Sequence, residues 1–488
     1  MKVRRAREVQ GAIALVALAA AALLPFGVAA RQMPSAPAYA IRGAKIVTGT
    51  STIDKGTLVM RNGLIEDVGA NVAAPSDAVV IDGSNMTVYP GLIDMTNTAA
   101  VELPRVANVG SAGAEAAPEA PAQVAGRGRG VATGPAPTWA DADRAKRDAL
   151  LNPDFEAASH VRYEGVEMQR MAAAGITSVL AVPSAGLLRG ESALINVTAP
   201  PDENDVSRVA GYRRGSVVIA TPVAEHVTFN GRLGGPGYPQ SLLGGIAFVR
   251  QAFYDAKWQK DARAWTEKHK DQPRPGFDPA LDALVPALDR KMPVSFDASE
   301  LREILRALAM AKEFNLDPIV TGGIEADEAV NDLKSANAKV ILTLATPATQ
   351  GGRGGRGGAD TPIRVTRMQQ KAPRVPAALE KAGVPYAFSS EGLQNPADFV
   401  RDVARAVREG GLTPDQALHA LTAGAAKIAG ASDRVGTVTK GKIANVIVVE
   451  GELFTDQPRI RRVFVDGRPV NIDVAPAQPQ GRGRAGQQ

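Results

Sequence analysis

The chain has 488 residues, 45% hydrophobic and 22% charged, proportions of a folded globular protein with room for one large and one smaller domain, not of a disordered one. It has no cysteine, which excludes disulfides, cysteine-bound zinc and thiol nucleophiles. Of the formal charge of +5, Lys2, Arg4, Arg5, Arg7 and Glu8 supply +3, and six more arginines lie in Gly-Arg stretches (127, 129, 353, 356, 482, 484); the rest is about −4, no footprint for nucleic acid.

Residues 1–30 read as a secretory signal peptide. Basic residues precede an apolar run over 11–24, Pro25 and Gly27 break it, and Val28-Ala29-Ala30 offers small side chains for cleavage. An uncleaved anchor is the alternative, and the Pro-Gly break argues against it. The expected location is periplasmic or secreted, with membrane contact only during export.

Residues 39–50 and 56–69 read as strands, with Asn62-Gly63 as a tight hairpin turn, and 79–81 as another. Short β-branched or aromatic runs follow at 176–182, 217–220, 293–296, 339–344 and 384–388. Helices lie between them: an apolar stripe of Leu301, Ile304, Leu305 and Leu308 behind Ser299 as expected N-cap, and a capping box at Thr413-Pro414-Asp415-Gln416. β material returns at 445–450 and 462–470, around Asp466-Gly467. Neither terminal β segment is large enough alone, so the two are expected to form one composite domain over 38–90 and 433–474. The repeated βα units of 91–432 fit a parallel barrel. Ala/Pro/Gly-rich and Gly-Gly-Arg insertions near 112–137 and 348–361, and a tail at 475–488, are too poor in apolar residues to order themselves. Their Gly-Arg repeats leave RNA binding as a minor reading; flexible loops are the ordinary one.

Tyr89-Pro90-Gly91-Leu92-Ile93-Asp94-Met95-Thr96-Asn97-Thr98 resembles the first barrel strand of the amidohydrolase superfamily, where Pro-Gly-Leu-Ile-Asp runs into His-X-His. Gly175-Ile176-Thr177-Ser178-Val179 is similar to its second strand, 412–422 to its last helix, and Gly441-Lys442-Ile443-Ala444-Asn445 to its terminal motif, with Ile443 and Asn445 in acidic positions. The imidazolonepropionase-like branch is the nearest. The resemblance implies a TIM (β/α)8 barrel with a small composite β-sandwich, a divalent metal (usually zinc), and hydrolysis of non-peptide C–N bonds in amides and cyclic amides, or of small peptides.

By the same resemblance the metal ligands are replaced. Thr96 and Thr98 stand for the two histidines, Asp297 for a third, Thr321 for a fourth, and Glu391 at the catalytic aspartate; the fourth-strand ligand has no secure counterpart. A threonine hydroxyl is a poor ligand, and two carboxylates do not make a tight binuclear centre. One expectation is therefore a metal-free, catalytically degenerate homologue that binds a small molecule or supports a partner, as a homo-oligomer or with an active paralogue. The other is a hydrolase using Asp297 and Glu391 as acid and base, or a weak mononuclear site involving His226. In the degenerate case, Asp297 and Glu391 are solvated or hydrogen-bonded to Thr96, Thr98 and Thr321.

Overall fold

The computed structural model describes residues 38–103, 138–162, 166–198, 217–230, 236–345, 362–393, 395 and 397–473; the expected signal peptide, insertions and tail lie outside them. Strands β1 (Ala38–Val47), β2 (Thr52–Arg61), β3 (Leu64–Gly69), β4 (Ala78–Asp82) and β5 (Met86–Pro90) open the chain. Asn62 and Gly63 take φ of 52° and 81°, the left-handed pair whose twist suits a two-residue hairpin. Register shifts around Gly43 bend β1, so its first half pairs with β4 and its second with β5.

The barrel begins at β6 (Leu92–Asn97). Its parallel neighbour is β7 (Ile176–Ala181), and the third stave is the bent pair β8 (Leu188–Glu191) and β9 (Ala193–Asn196). This stave runs antiparallel: β9 pairs with β7, and β8 with β11 (Glu225–Thr228), while β10 (Val218–Ala220) pairs with β9. From β11 onward the order is parallel through β12 (Val294–Ala298), β13 (Pro318–Gly322), β14 (Lys339–Thr343) and β15 (Tyr386–Ser389). At the closing edge Ser390, just past β15, donates to Asp94 on β6. The result is a (β/α)8-type barrel with one reversed stave. Ile93, Met95, Leu180, Ile319, Ile341 and Ala387 share one core cluster, whereas Phe296 and Phe388, from alternate strand positions, join Phe253 and Phe399 of the helices in another.

Outside the barrel lie α1 (Trp139–Leu150), α2 (Val166–Ala173), α3 (Leu242–Lys268), α4 (Pro279–Ala283), α5 (Val285–Leu288), α6 (Leu301–Glu313), α7 (Val330–Ser335), α8 (Ile363–Lys371), α9 (Val375–Ala382), α10 (Ala397–Gly410), α11 (Pro414–Leu421) and α12 (Ala423–Ile428). Thr413 caps α11 through the expected box. Helix α6 is capped one residue later than expected: Glu300 holds the cap, and the Glu303 carboxylate reaches back to accept the N–H groups of both Ser299 and Glu300. No helix among the described residues is long and apolar enough to cross a membrane.

Strands β16 (Val446–Glu450), β17 (Arg459–Val465) and β18 (Arg468–Val470) complete the composite domain. β16 pairs with β5, giving one hydrogen-bonded sheet in the order β18-β17-β16-β5-β1-β2-β3 that encloses Ile41, Ile46, Leu58, Met60, Val448 and Phe464. Asn445 ties it to the barrel. Its amide donates to Ser178 Oγ at 3.0 Å and Asn196 Oδ1 at 2.8 Å, and its oxygen accepts the Asp466 N–H at 2.8 Å. A neutral amide here serves as donor and acceptor at once, which a carboxylate cannot do.

Candidate functional site

Asp94 ends up fully buried on β6, between two strands that meet only in three dimensions. Its carboxylate accepts from the Ser390 N–H at 2.8 Å, the Ser390 hydroxyl at 2.6 Å and the Thr96 N–H at 3.3 Å. Burial outweighs these bonds and pushes its pKa up to about 6. A buried acid with a raised pKa stabilises the fold when protonated and loses that contribution as pH rises through the folded value. From pH 4 to pH 8 this amounts to about 2 to 3 kcal/mol for a shift from 3.8 to about 6. In Asp94→Asn the loss is absent, so the variant gains on the wild type by that amount across the range. Urea unfolding at several pH values checks this, and parallel pH dependences for the two proteins would refute it.

Asp297, on β12, faces Thr228 of β11 on one side and Thr321 of β13 on the other. Thr228 thus lies beside Asp297 at the end of the fourth stave. Asp297 pairs with Arg189 Nη2 at 2.6 Å and takes a hydrogen bond from Thr228. Desolvation still holds its pKa above the ordinary value, with Arg189 working against it. A register irregularity explains how Arg189 gets there. His226 pairs with Gly190 and Val227 with Leu188, so Arg189 is the extra residue of a bulge, the device that re-aims a side chain at a barrel rim. Gly190 next to it has φ of 105°, and a Cβ there would lie 2.2 Å from the Phe155 carbonyl oxygen; only glycine fits. Its N–H donates to Glu225 Oε1, a fully buried carboxyl that desolvation pushes well above the usual range.

The polar network expected around the threonines forms with other partners. Thr321 Oγ1 bonds Ser295 Oγ at 2.7 Å, Thr96 Oγ1 donates to the Met95 carbonyl at 2.6 Å, and Thr98 lies half-buried just beyond β6. Hydroxyls this close to neighbouring acceptors are satisfied locally, and the carboxylates turn to arginine and serine instead.

Glu391 follows Ser390 in a pinned turn: its N–H donates to Ser389 Oγ at 3.0 Å and its carbonyl accepts from Thr343 Oγ1 at 2.7 Å. The side chain is accessible, yet desolvation first, then the Asp297 and Asp94 charges, push its pKa up to about 7, against the opposing pull of Arg189. Asp94, Asp297, Glu391 and Arg189 therefore share one electrostatic neighbourhood.

His226 is buried in the ring, opposite Ser295, and neither nitrogen has a hydrogen-bond partner. Desolvation and then Arg189 push its pKa down to about 3, so it is neutral. His160 stacks on Phe155, His269 on Trp265 at the end of α3, and His419 lies on α11. The donor set does not fit the divalent metal that the resemblance implies. Thr96 and Thr321 are engaged with neighbours, Asp297 holds a guanidinium, His226 lacks the orienting second-shell bond of a ligating imidazole, and among the described residues no three His, Asp or Glu side chains are grouped to hold a metal ion.

Asp297 and Thr321 are partners on β12 and β13, and Glu391, two residues past β15, feels the charge of Asp297. Arg189, Thr228 and Ser390 were missed, and Asp94 was read only as part of a motif. The available signals were an Arg-Gly pair directly after Leu187-Leu188, and an aspartate inside the apolar stretch 92–95.

Residues 316–470 match the model of the Amidohydrolase family. Among solved structures, an amidohydrolase from Thermotoga maritima MSB8 aligns with a TM-score of 0.65 at 21% identity, covering 89% of this chain and 99% of its own. Another amidohydrolase aligns at 0.51 and 18% identity, covering 88% of this chain and 98% of its own. A prolidase complexed with N-methylphosphonate-L-proline aligns at 0.50 and 17%, covering 89% and 99%. No curated protein matches the sequence.

Proposed function

We propose that this chain, which belongs to the amidohydrolase superfamily, keeps the barrel of a hydrolase-type protein but works without its metal centre, binding a small molecule at the barrel mouth. One observation carries the reading: Arg189 lies 2.6 Å from Asp297 and supplies, as a fixed guanidinium, the positive charge a bound cation would bring to that carboxylate. Support of an active paralogue is a second form of the same reading. We infer export from residues 1–30, so the protein is expected outside the cytoplasm; cell fractionation that finds it in the cytosol would overturn this.

A second reading rests on Glu391. An accessible carboxyl with a pKa of about 7 suits general acid or base work near neutral pH, and Ser390 and Asp94 hold the turn that presents it. Asp297, locked to Arg189, serves there to tune Glu391 rather than to transfer protons.

One preparation tests both. Elemental analysis of purified protein is expected to find far less than one transition metal per chain, and a chelator is expected to leave the melting temperature unchanged, since a tightly bound metal at 1,000 times its Kd would add about 4 kcal/mol. Stoichiometric zinc with chelator-sensitive melting would overturn the first reading. Chelator-resistant amide hydrolysis with an inflection near pH 7, lost in Glu391→Gln, would establish the second.

A further inference from the structure

Along the C-terminal half of α1 a cavity of about 690 Å³ opens against the chain leading into β8. That volume is typical of sites for drug-sized molecules, about 300–1,000 Å³. Leu103, Ala145, Ala149, Phe155 and Ala185 give it an apolar body. Phe155 is held in place by stacking on His160, with ring centroids 4.6 Å apart.

The polar groups on its walls are unevenly spent. Arg189 pairs with Asp297 at 2.6 Å, so its charge is already balanced. At the rim, Asp141 accepts from the Thr138 hydroxyl at 2.7 Å and lies 3.8 Å from Arg144. Asp148 has no ion pair among the described residues, although two cations directly precede it. Lys146 is turned inward and donates to the Gly237 carbonyl at 3.3 Å, and Arg147 reaches Asp278 at 2.6 Å. Asn152 donates its side-chain amide to the Ala149 carbonyl at 3.2 Å, which leaves its side-chain oxygen as the open end.

What this wall lacks is therefore a cation. Two carboxylates and one guanidinium leave the rim net negative. Asp148 also lies in the last turn of α1, where the negative end of the helix dipole disfavours a carboxylate and favours positive charge. An aromatic face such as that of Phe155 draws the same sign. A carboxylate ligand would meet Asp148 as like charge, and an alcohol would leave that charge unanswered.

We propose that this cavity binds an organic ammonium with an aromatic or aliphatic body, its N–H groups donating to Asp148 and to the side-chain oxygen of Asn152. This names the ligand class for the ligand-binding reading and rests on it. The apolar body covers the alanines and Phe155, while the head group stays at the rim beside Asp148.

Isothermal titration of the full-length protein with 4-phenylbutylamine, 4-phenylbutan-1-ol and 4-phenylbutyrate separates the possibilities. The amine is expected to bind about fivefold more tightly than the alcohol, the scale of one charged contact at an exposed rim, and the carboxylate most weakly. Asp148→Asn, which keeps the shape and removes the charge, is expected to bring the amine down to the level of the alcohol. Ala145→Trp, at an exposed position of α1, fills the cavity and is expected to weaken amine and alcohol alike about tenfold, with melting unchanged. Equal or tighter binding of the alcohol or carboxylate, absence of saturable amine binding, or amine binding unchanged in either variant would overturn the proposal. Tight binding of the alcohol would leave the ligand-binding reading standing, whereas stoichiometric metal would sink that reading whatever these titrations give.

Discussion

Arg189→Met is expected to lower the unfolding free energy by about 3 kcal/mol near neutral pH, and adding Asp297→Asn is expected to restore most of it. The pair is largely shielded, with 15% of the Arg189 side chain and 31% of Asp297 exposed, so removing the cation strands a carboxylate that water reaches only in part. The value lies at the low end for broken buried pairs because of that partial exposure. The sign with pH follows from desolvation, which already holds Asp297 above its ordinary pKa. Without Arg189 the pKa climbs further. A carboxyl with a raised folded pKa costs nothing while protonated and destabilises as pH rises through that value, so the loss should be large at pH 8 and shrink toward pH 5. Urea unfolding of the two single variants and the double variant at both pH values completes the cycle. A double variant no more stable than Arg189→Met would show that the ion pair is not the source of the effect.

Gly91→Ala is expected to cost at least about 3 kcal/mol, more than a typical overpacked site. A Cβ at Gly91 would lie 2.1 Å from Thr177 Oγ1 and 2.5 Å from its Cγ2, and Thr177 is itself fully buried on β7. The backbone cannot retreat, because the Gly91 N–H is bonded to the Asn445 carbonyl at 2.8 Å and the Leu92 N–H to that of Gly175 at 3.1 Å. Removing the threonine branches relieves part of the clash, so Thr177→Ala should recover a portion of the loss, while its own Cβ at 2.8 Å prevents full recovery. Thermal melting of the single and double variants measures this; a Gly91→Ala protein that melts like the wild type would refute the packing argument. The Pro-Gly pair at the head of the first barrel strand is thus also a close approach between the first two staves.

Much of the fold was legible because its signals are local. Asn62-Gly63 and Asp466-Gly467 adopt the left-handed pairs that their turns need, and Thr413 caps α11 through side chains three residues apart. These features depend on residues within a few positions of each other. The reversed third stave was not legible. Residues 188–196 mix Arg189, Glu191 and Ser192 with their apolar side chains and give no strand signal, and the direction of the stave is set by which neighbours accept its edges, β7 on one side and β11 on the other.

The site divides along the same line. Residue identity alone shows that positions 96, 98, 297 and 321 carry no imidazole, because the chemistry of a ligand atom travels with its side chain. It also indicated that carboxylates remain at 297 and 391. What those carboxylates do was decided by the fold, through groups far away in the chain. Arg189 reaches Asp297 only because a bulge turns it across the ring, and Ser390 reaches Asp94 only where β15 returns to β6. Pairing energies and pKa values depend on distance and on how much water is excluded between groups. Both quantities come into being when the barrel closes.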